Sequence, residues 1–299
     1  MRILITGSTG LLGRALCKRL AQSCDVTGLS RRGVLSERPA GRQLLCDLLD
    51  AQRTVSVIRE YSPDVVVHAQ ALSDVERCER NPHLAQAMNV TALSHVVQAL
   101  EGLPTLLIAI SSDYVFDGSK LAPYEEADEP HPISVYGRTK WQGEQVTLSR
   151  SQSLIVRTST LFGFGRVNFC DHIITQLANG KTLDAFDDQV TSPTYTEDLA
   201  SAIQALIEVL STCELSGLSS RIIHIANAGA CRRLDFAYQV ADELACPRTQ
   251  IRAVSMVHSG LVAQRPRYSA LATTVIAHLI GRSLRPWQDA LKEYLSQRR

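Results

Sequence analysis

Tyr136 and Lys140 are the pair of residues whose types and spacing most clearly indicate chemistry. Because four positions separate them, they share one face of a helix and lie a turn apart. A free phenol has a pKa near ~10 and exchanges protons poorly at neutral pH, but a neighbouring ammonium favours the phenolate and lowers that pKa. The pair therefore predicts a tyrosine that acts as a general acid or base. Many helices contain this spacing by chance, so the interpretation needs support from the rest of the sequence.

A glycine-rich turn near the start of the chain has the form of a dinucleotide-binding fingerprint. It follows the apolar run 2–5 and precedes a segment with apolar residues at helical spacing, which predicts a strand, a turn and a helix. Gly7 permits the tight turn, Gly10 lets a pyrophosphate approach the backbone, and Gly13 permits close packing of helix on strand. The glycine spacing is GxxGxxG rather than GxGxxG, and the alternative is a turn that binds nothing. The residues predicted to contact the cofactor here are Gly7, Ser8, Thr9, Gly10, Leu11, Leu12 and Gly13.

The glycine turn, the serine pair Ser111-Ser112 and the Tyr136–Lys140 pair together resemble the extended branch of the short-chain dehydrogenase/reductase superfamily. Within that branch the chain is most similar to the dTDP-4-dehydrorhamnose reductases and their sugar-nucleotide-binding relatives. The shared motifs follow the family order over nearly the whole chain. They are TGSTGLLG (6–13), ISSDYVFDG (110–118), PISVYGRTKWQGE (132–144), VRTSTLFG (156–163), SPTYTEDLA (192–200) and RPRYSAL (265–271).

The resemblance implies a reductase of a nucleotide-linked 4-keto-6-deoxysugar that delivers a hydride to C4. Ser112 is expected to hydrogen-bond the substrate carbonyl, Tyr136 to donate a proton to its oxygen, and Lys140 to bind the nicotinamide ribose. Further cofactor contacts are expected after the third and fourth predicted strands, at Asp47, Leu48, Ala69, Gln70 and Ala71. The substrate contacts expected from the family positions are Ser112, Asp113, Tyr114, Asn168 and Arg265.

Two of these expected contacts have plain structural alternatives. Asp47 lies where an aspartate also serves to cap the next helix. Arg265 suits a diphosphate through charge-assisted hydrogen bonds, but Arg267 is the alternative for that role, and both arginines would also fit surface salt bridges.

The end of the second predicted strand indicates which nicotinamide cofactor is used. NAD sites carry an acidic residue there that accepts hydrogen bonds from the ribose 2′-hydroxyl. This chain has Ser30-Arg31-Arg32 instead. A guanidinium matches a 2′-phosphate in charge and geometry, so the sequence favours NADP(H), the alternative being two solvent-facing arginines.

The composition excludes several classes of partner. A net charge of +1 in 299 residues gives no reason to expect a nucleic acid or an anionic membrane as partner. No apolar run approaches the ~18 residues of a membrane-spanning helix and no signal core precedes the first predicted strand, so we expect a cytoplasmic protein. The eight cysteines form no CxxC pair and none has zinc-like spacing. We therefore expect buried, reduced thiols and no metal site.

Predicted strands and helices alternate along the first half of the chain, which indicates an α/β doubly wound parallel sheet of the Rossmann type. The predicted strands are 2–6, 25–30, 42–46, 64–69, 104–111 and 153–158, and the predicted helices are 11–22, 50–61, 82–100 and 134–150. A smaller C-terminal substrate-binding lobe is expected in addition. The cofactor domain is predicted to comprise residues 1–163 and about 191–228, and the lobe about 164–190 and 229–299.

Two positions depart from the family pattern and leave the sugar open. Thr160 stands where the rhamnose-forming reductases have a tryptophan, and Tyr268 replaces a small polar residue. The alternatives to a reductase are an NAD-dependent nucleotide-sugar epimerase or dehydratase, and a regulatory subunit like the β subunit of methionine adenosyltransferase. The oligomeric state also stays open, with a homodimer as one candidate.

Overall fold

A seven-stranded parallel sheet forms the centre of the molecule in the computed structural model, which describes residues 1–31, 40–212, 215–218 and 220–298. The strands of the described residues are β1 (Arg2–Thr6), β2 (Asp25–Ser30), β3 (Arg42–Leu45), β4 (Val65–His68), β5 (Leu106–Ser112), β6 (Ser153–Thr158), β7 (Leu161–Phe162), β8 (Leu183–Phe186), β9 (Val190–Thr191), β10 (Thr194–Tyr195), β11 (Ile222–His224), β12 (Cys231–Arg232) and β13 (Ile251–Val254). The order across the central sheet is β11-β6-β5-β4-β1-β2-β3.

Helices cover both faces of this sheet. They are α1 (Leu11–Leu20), α2 (Ala51–Tyr61), α3 (Val75–Arg80), α4 (Pro82–Gln86), α5 (Ala92–Ala99), α6 (Val135–Leu148), α7 (Phe169–Ala178), α8 (Thr196–Thr212), α9 (Arg233–Glu243), α10 (Thr274–Leu279) and α11 (Trp287–Ser296). In β1, Ile3 and Ile5 pack in one core cluster with α1 and α8, and Leu4 packs in the other with α2 and α5. Because the strand alternates its side chains between two apolar layers, its sequence is continuously hydrophobic. The predicted doubly wound parallel fold is confirmed.

The register of the strands brings their carboxyl ends to one edge of the sheet. Thr6 in β1 lies beside His68 in β4, His68 lies beside Ala109 in β5, and Ser112 lies beside Thr158 in β6. Loops that leave the carboxyl ends of parallel strands form the usual ligand crevice of this fold class. The glycine turn and the serine pair therefore open onto the same crevice.

Another apolar cluster, separate from the two that flank the central sheet, follows the carboxyl end of β6. It contains the strand pair β8–β13, the helices α7, α9 and α11, and a group of aromatic rings in van der Waals contact. These rings are Phe162, Tyr195, Phe236, Trp287 and Tyr294. The cluster gives the C-terminal part of the chain an apolar core of its own, while the domain boundaries proposed from the sequence stay a prediction.

The predicted helix 82–100 is interrupted by a π-helical turn at Ala87–Thr91. Asn89 in this turn is buried, accepts a hydrogen bond from Leu72 N at 2.7 Å and donates one to Thr139 Oγ1 at 3.0 Å. π-turns of this kind are frequent at functional sites. Here the Asn89 amide ties the loop after β4 to α6.

The seven cysteines of the described residues are all free, and Cys213 lies outside them. Four of them are buried among apolar side chains, as expected for structural thiols. No helix in the described part of the chain has the length and apolar content needed to cross a membrane.

Candidate active site

The glycine turn leaves no room for side chains at two of its three glycines. Gly7 has a φ of 68°, and a Cβ there would lie 2.8 Å from the backbone of Gln70. A Cβ on Gly13 would lie 2.2 Å from the carbonyl oxygen of Gly7. Gly10 differs, because its Cβ would meet only that same oxygen, at 3.0 Å. Gly7 and Gly13 are therefore required by the fold itself. At position 10, in contrast, the protein alone nearly has room for a Cβ atom.

This turn also fits a phosphate group. Gly10 is the N-cap of α1 and provides no side-chain cap for the first N–H groups of that helix. Uncapped N–H groups and the positive end of the helix dipole favour an anion at this position. Ser8 does not compete for that space, since its hydroxyl donates to Gln43 Oε1 at 2.8 Å.

We expect Gly10→Ala and Gly13→Ala to separate cofactor binding from folding. Gly10→Ala should weaken NADPH binding by about tenfold or more, equivalent to ~1.4 kcal/mol, because its methyl group occupies the path of a pyrophosphate. Gly13→Ala should instead lower the free energy of unfolding by about 1–3 kcal/mol through overpacking. Fluorescence titration with NADPH and urea unfolding measure the two effects. Equal loss of stability in both variants would contradict this assignment.

Of the cofactor contacts expected after β2 and β3, the structure exposes some and buries others. Ser30 is buried at the end of β2, Arg31 follows it on the surface, and Arg32 lies outside the described residues. Asp47 is exposed and accepts a hydrogen bond from Leu49 N at 3.1 Å, so it shapes the turn before α2, whose N-cap is Asp50. Leu48 is buried in the core.

The segment after β4 lies against the glycine turn. Ala69, Gln70 and Ala71 are half-buried, and Gln70 donates its side-chain amide to Met88 O at 3.3 Å. Beneath them, His68 Nδ1 lies 3.0 Å from Thr6 Oγ1. Burial lowers the pKa of His68 to about 3, so this imidazole is neutral at physiological pH. The structure therefore brings the segment 69–71 and Gly7 together at one edge of the crevice.

Helix α6 is pressed against the end of β5, which brings Tyr136 next to Ser112. Ser134 caps α6 by accepting a hydrogen bond from Gly137 N at 3.1 Å. A Cβ on Gly137 would lie 2.1 Å from Tyr114 O, so only glycine permits this approach. Ser112 lies near enough to Tyr136 to lower the pKa of its phenol, while Lys140 Nζ donates to Ile110 O at 2.7 Å. The three predicted catalytic residues thus converge on the carboxyl end of β5.

The pKa of Tyr136 differs from the expectation based on spacing. Burial raises it above the usual value, and the nearby Ser112 hydroxyl opposes that rise. Lys140 does not lower it here, because the ammonium is directed at Ile110 O rather than at the phenol. Burial also lowers the pKa of Lys140 to about 8, against the opposing effect of Glu144. The Tyr136 phenol is therefore protonated at neutral pH, the form needed for a proton donor.

We expect the buried Lys140 to make stability rise with pH. Between pH 8 and its usual value near ~10.4, the unfolded chain binds more protons at this lysine than the folded protein does, so the free energy of unfolding increases. Relative to Lys140→Met, the wild type should gain up to about 3 kcal/mol across this window. Urea unfolding of both proteins at pH 7 and pH 10 measures the gain.

Lys120→Met provides the control for this comparison. Its half-buried ammonium hydrogen-bonds Asp128, which raises the pKa of Lys120. A group with a raised pKa loses stabilising charge only as pH rises, so its effect has the opposite sign. A wild-type gain that is the same against both variants would contradict the assignment to Lys140.

Below the catalytic residues lies a buried ionic network that links α6 to β5 and β6. Arg157 donates to both carboxylate oxygens of Glu144, at 2.8 and 2.7 Å, and Ser111 Oγ donates to Glu144 Oε1 at 2.6 Å. The side chains of Arg157 and Glu144 are 1% and 2% exposed. Tyr136, Lys140 and Glu144 follow one another at four-residue intervals, so one face of α6 carries them all. The network therefore holds that face against the sheet.

Asp113 forms a second hydrogen-bonded centre directly behind Ser112. Its carboxylate accepts hydrogen bonds from Ser112 Oγ at 2.9 Å, Ser159 Oγ at 2.7 Å and Ser269 Oγ at 2.6 Å. Burial raises its pKa and these hydrogen bonds oppose the rise. Asp113 is 2% exposed, so it joins three segments under the crevice rather than lining it. Tyr114, next along the chain, is also buried and accepts a hydrogen bond from Gln189 at 3.1 Å.

The two remaining expected substrate contacts already have partners in the protein. Asn168 caps α7, accepting a hydrogen bond from Cys170 N at 3.0 Å and donating one to Gly163 O at 2.9 Å. Arg265 forms an ion pair with Glu76 at 2.9 Å, and its side chain is 15% exposed. Arg265 also lines a cavity of about 560 Å³, together with Arg267 and the exposed Val257. Asn168 and Arg265 are therefore less available to a ligand than the sequence motifs suggest.

The structure also places the two residues that depart from the family pattern. Thr160 has a φ of 39°, an uncommon conformation for a β-branched residue, and its carbonyl accepts a hydrogen bond from Thr194 N at 3.0 Å. Tyr268 is half-buried and packs against the cluster of Phe116, Tyr124 and Leu271.

Sequence reasoning overlooked Glu144, Arg157 and Asn89, all of which support the catalytic residues from below. A usable signal existed for Glu144, since it continues the four-residue series of Tyr136 and Lys140. Arg157 interrupts an otherwise apolar strand, which requires a buried carboxylate partner. Asn89 carried no comparable signal, because the π-turn arises from contacts with Leu72 and Thr139.

Comparison with known proteins agrees with this site. The sequence pattern of the family described as RmlD substrate binding domain matches residues 1–299. The chain belongs to the RmlD substrate binding domain family. Membership confirms the resemblance to the extended short-chain dehydrogenase/reductases of the dTDP-4-dehydrorhamnose reductase type. The match includes all the motifs that carry the catalytic and cofactor predictions.

Individual RmlD-family relatives match over nearly their full length. The chain is 31% identical to the spore coat polysaccharide biosynthesis protein SpsK of Bacillus subtilis, with 99% of this chain and 98% of the relative covered. It is 33% identical to a dTDP-4-dehydrorhamnose reductase of Mycobacterium tuberculosis, with 99% and 92% covered. A crystal structure of a dTDP-4-dehydrorhamnose reductase from Bacillus anthracis in complex with NADP superimposes with a TM-score of 0.87 at 28% identity, covering 99% of both chains.

Proposed function

We propose that this protein is an NADPH-dependent reductase of a nucleotide-linked 4-keto-6-deoxysugar. The convergence of Ser112, Tyr136 and Lys140 beside the glycine turn, at one edge of the sheet, carries the proposal. The reductase names of the relatives and the NADP-bound neighbour support the same reaction class. The complete set of three catalytic side chains also favours an enzyme over a regulatory subunit.

The residues proposed to hold the cofactor lie at the carboxyl edge of the central sheet. The uncapped N-terminus of α1 and Gly10 receive the pyrophosphate, and Gln70 borders the adjacent ribose. Arg31, exposed after β2, attracts the 2′-phosphate of NADP. When bound, the cofactor supplies the hydride. Titration with NADPH and NADH, read by cofactor fluorescence, tests the preference, and tighter binding of NADH would contradict it.

Ser112 and Tyr136 act on the substrate carbonyl. When the substrate binds, the Ser112 hydroxyl turns from Asp113 and donates its proton to the C4 oxygen, which holds that oxygen against the phenol. Tyr136 then transfers its phenolic proton to that oxygen as C4 receives the hydride. Asp113 accepts the Ser112 proton until the C4 oxygen replaces it as acceptor, and its burial keeps it from touching the sugar. Lys140 reaches the nicotinamide ribose from the same helical face.

Isotope transfer tests the reaction and the reacting carbon together. The protein is incubated with dTDP-4-keto-6-deoxyhexose and NADPH deuterated on the nicotinamide, and cofactor absorbance and product mass are followed. One deuterium at C4 for each NADPH consumed is the expected result. A product of unchanged mass, with cofactor neither consumed nor required, would establish an epimerase. Consumption of NADPH with the label elsewhere would keep a reductase and exclude C4.

A further inference from the structure

Arg233 lies between two of the residues that the sequence assigns to the substrate. It is the first residue of α9, and its backbone N donates to Gln189 O at 3.0 Å. The Gln189 side chain in turn donates to the hydroxyl of Tyr114 at 3.1 Å. The Arg233 guanidinium lies 4.5 Å from the ring centre of Phe169, the residue after Asn168. Arg233 is half-buried, and its charge acts on Tyr114.

Local stability does not explain an arginine at this position. A cation in the first turn of a helix opposes the helix dipole. Its neighbour Arg232 is compensated, since its guanidinium donates to Asp235 at 2.8 and 2.7 Å. Within the described part of the chain, no carboxylate lies within ion-pair distance of the Arg233 guanidinium. Residues that break local rules in this way are characteristic of functional sites.

The arginine that the sequence assigned to an anionic ligand is committed elsewhere. Arg265 is paired with Glu76, and the same carboxylate accepts hydrogen bonds from Val262 N and Ala263 N at 3.1 and 3.2 Å. This ion pair holds the segment 262–265 to α3. The charge of Arg233, in contrast, acts on Asp113 and Tyr114 at the base of the crevice and lowers the pKa of each against the larger effect of burial.

We propose that Arg233 binds the diphosphate of the nucleotide-sugar substrate. A guanidinium is charged at every physiological pH and offers paired N–H donors that match two phosphate oxygens. Stacking on Phe169 fixes its plane, so little side-chain freedom is lost when the ligand binds. Because the ligand is the substrate of the proposed reductase, this inference rests on the proposed function.

Calorimetric titration of nucleotides and nucleosides tests the inference. Wild type, Arg233→Ala, Arg233→Lys and the control Arg248→Ala are titrated with dTDP, UDP and the nucleosides thymidine and uridine. Arg248 is a matched control because it also lies on a ring, 5.1 Å from the centre of Tyr238, but is paired with Asp242. Arg233→Ala should weaken binding of the preferred diphosphate about 10–100-fold, the usual effect of a charge-assisted hydrogen bond. Arg233→Lys should retain part of the affinity, while the nucleoside and NADPH affinities stay unchanged.

The outcomes separate this inference from the proposed function. If the wild type binds a nucleoside diphosphate and Arg233→Ala binds it equally well, the role of Arg233 is wrong and the reductase proposal stands. If Arg233→Ala loses the nucleoside as well as the diphosphate, the residue supports the structure of the lobe and the inference is again overturned. A wild-type protein that binds NADPH but neither diphosphate would overturn the nucleotide-sugar substrate and the role of Arg233 together.

Discussion

Tyr136→Phe is expected to lower kcat by about 10²–10⁴-fold, the usual contribution of a general acid, while NADPH affinity stays close to that of the wild type. The substitution removes only the hydroxyl and leaves the ring in its edge-to-face contact with Tyr114, at 5.7 Å between ring centres. Steady-state kinetics with the keto-sugar nucleotide and fluorescence titration of NADPH measure the two quantities.

Tyr61→Phe is the matched control for this variant. Its hydroxyl donates to Asp25 O at 2.9 Å, at the amino end of β2 and so at the opposite edge of the sheet from the crevice. The loss of this phenol should leave kcat unchanged. A Tyr136→Phe enzyme with kcat near the wild-type value would remove Tyr136 from the role of proton donor.

Glu144→Ala is expected to lower the free energy of unfolding by about 3–5 kcal/mol, because it leaves the Arg157 charge buried without a counterion. The guanidinium is 1% exposed and also lies over the ring of Phe116, 5.0 Å from its centre. Ser111 also loses its acceptor. Urea unfolding at pH 7, followed by circular dichroism, measures the loss.

Two further variants distinguish buried charge from general disturbance. Asp184→Ala breaks an ion pair of similar length, 2.7 Å, whose side chains are 49% and 74% exposed, and should change stability far less. The double variant Glu144→Met with Arg157→Met removes both charges and should recover much of the stability lost by Glu144→Ala. An effect of Glu144→Ala no larger than that of Asp184→Ala would show that the network does not hold α6 against the sheet.

Local sequence patterns were sufficient for the parts of the site that depend on the backbone. The glycine turn could be predicted because Gly7 and Gly13 answer steric demands that arise within one strand–turn–helix unit. The four-residue spacing of Tyr136 and Lys140 placed both on one face of α6, since that relation depends only on helix geometry. The apolar runs predicted the buried parallel strands because each run lies within a single strand.

The roles of Asn168, Arg265 and Asp113 could not be read in the same way, because their partners lie far away in the chain. Arg265 meets Glu76 across 189 positions, and Asp113 meets Ser269 across 156. A motif states which side chain is present but not whether another segment already occupies its hydrogen-bonding groups. Arg233, which belongs to no motif, is one of several cations that form no ion pair with a carboxylate among the described residues, and its place beside Phe169 became visible only in the structure.

By itself, the sequence determined the doubly wound fold, the family and the three side chains proposed for catalysis, because each follows from short-range geometry or from motifs in a set order. Only the tertiary structure decided the electrostatics of the site. Burial raises the pKa of Tyr136 and lowers that of Lys140, and the Lys140 ammonium is directed at Ile110 O. The physical reason is that desolvation and charge pairing depend on which segments pack together. The four-residue spacing of Tyr136 and Lys140 along one helix does not contain that information.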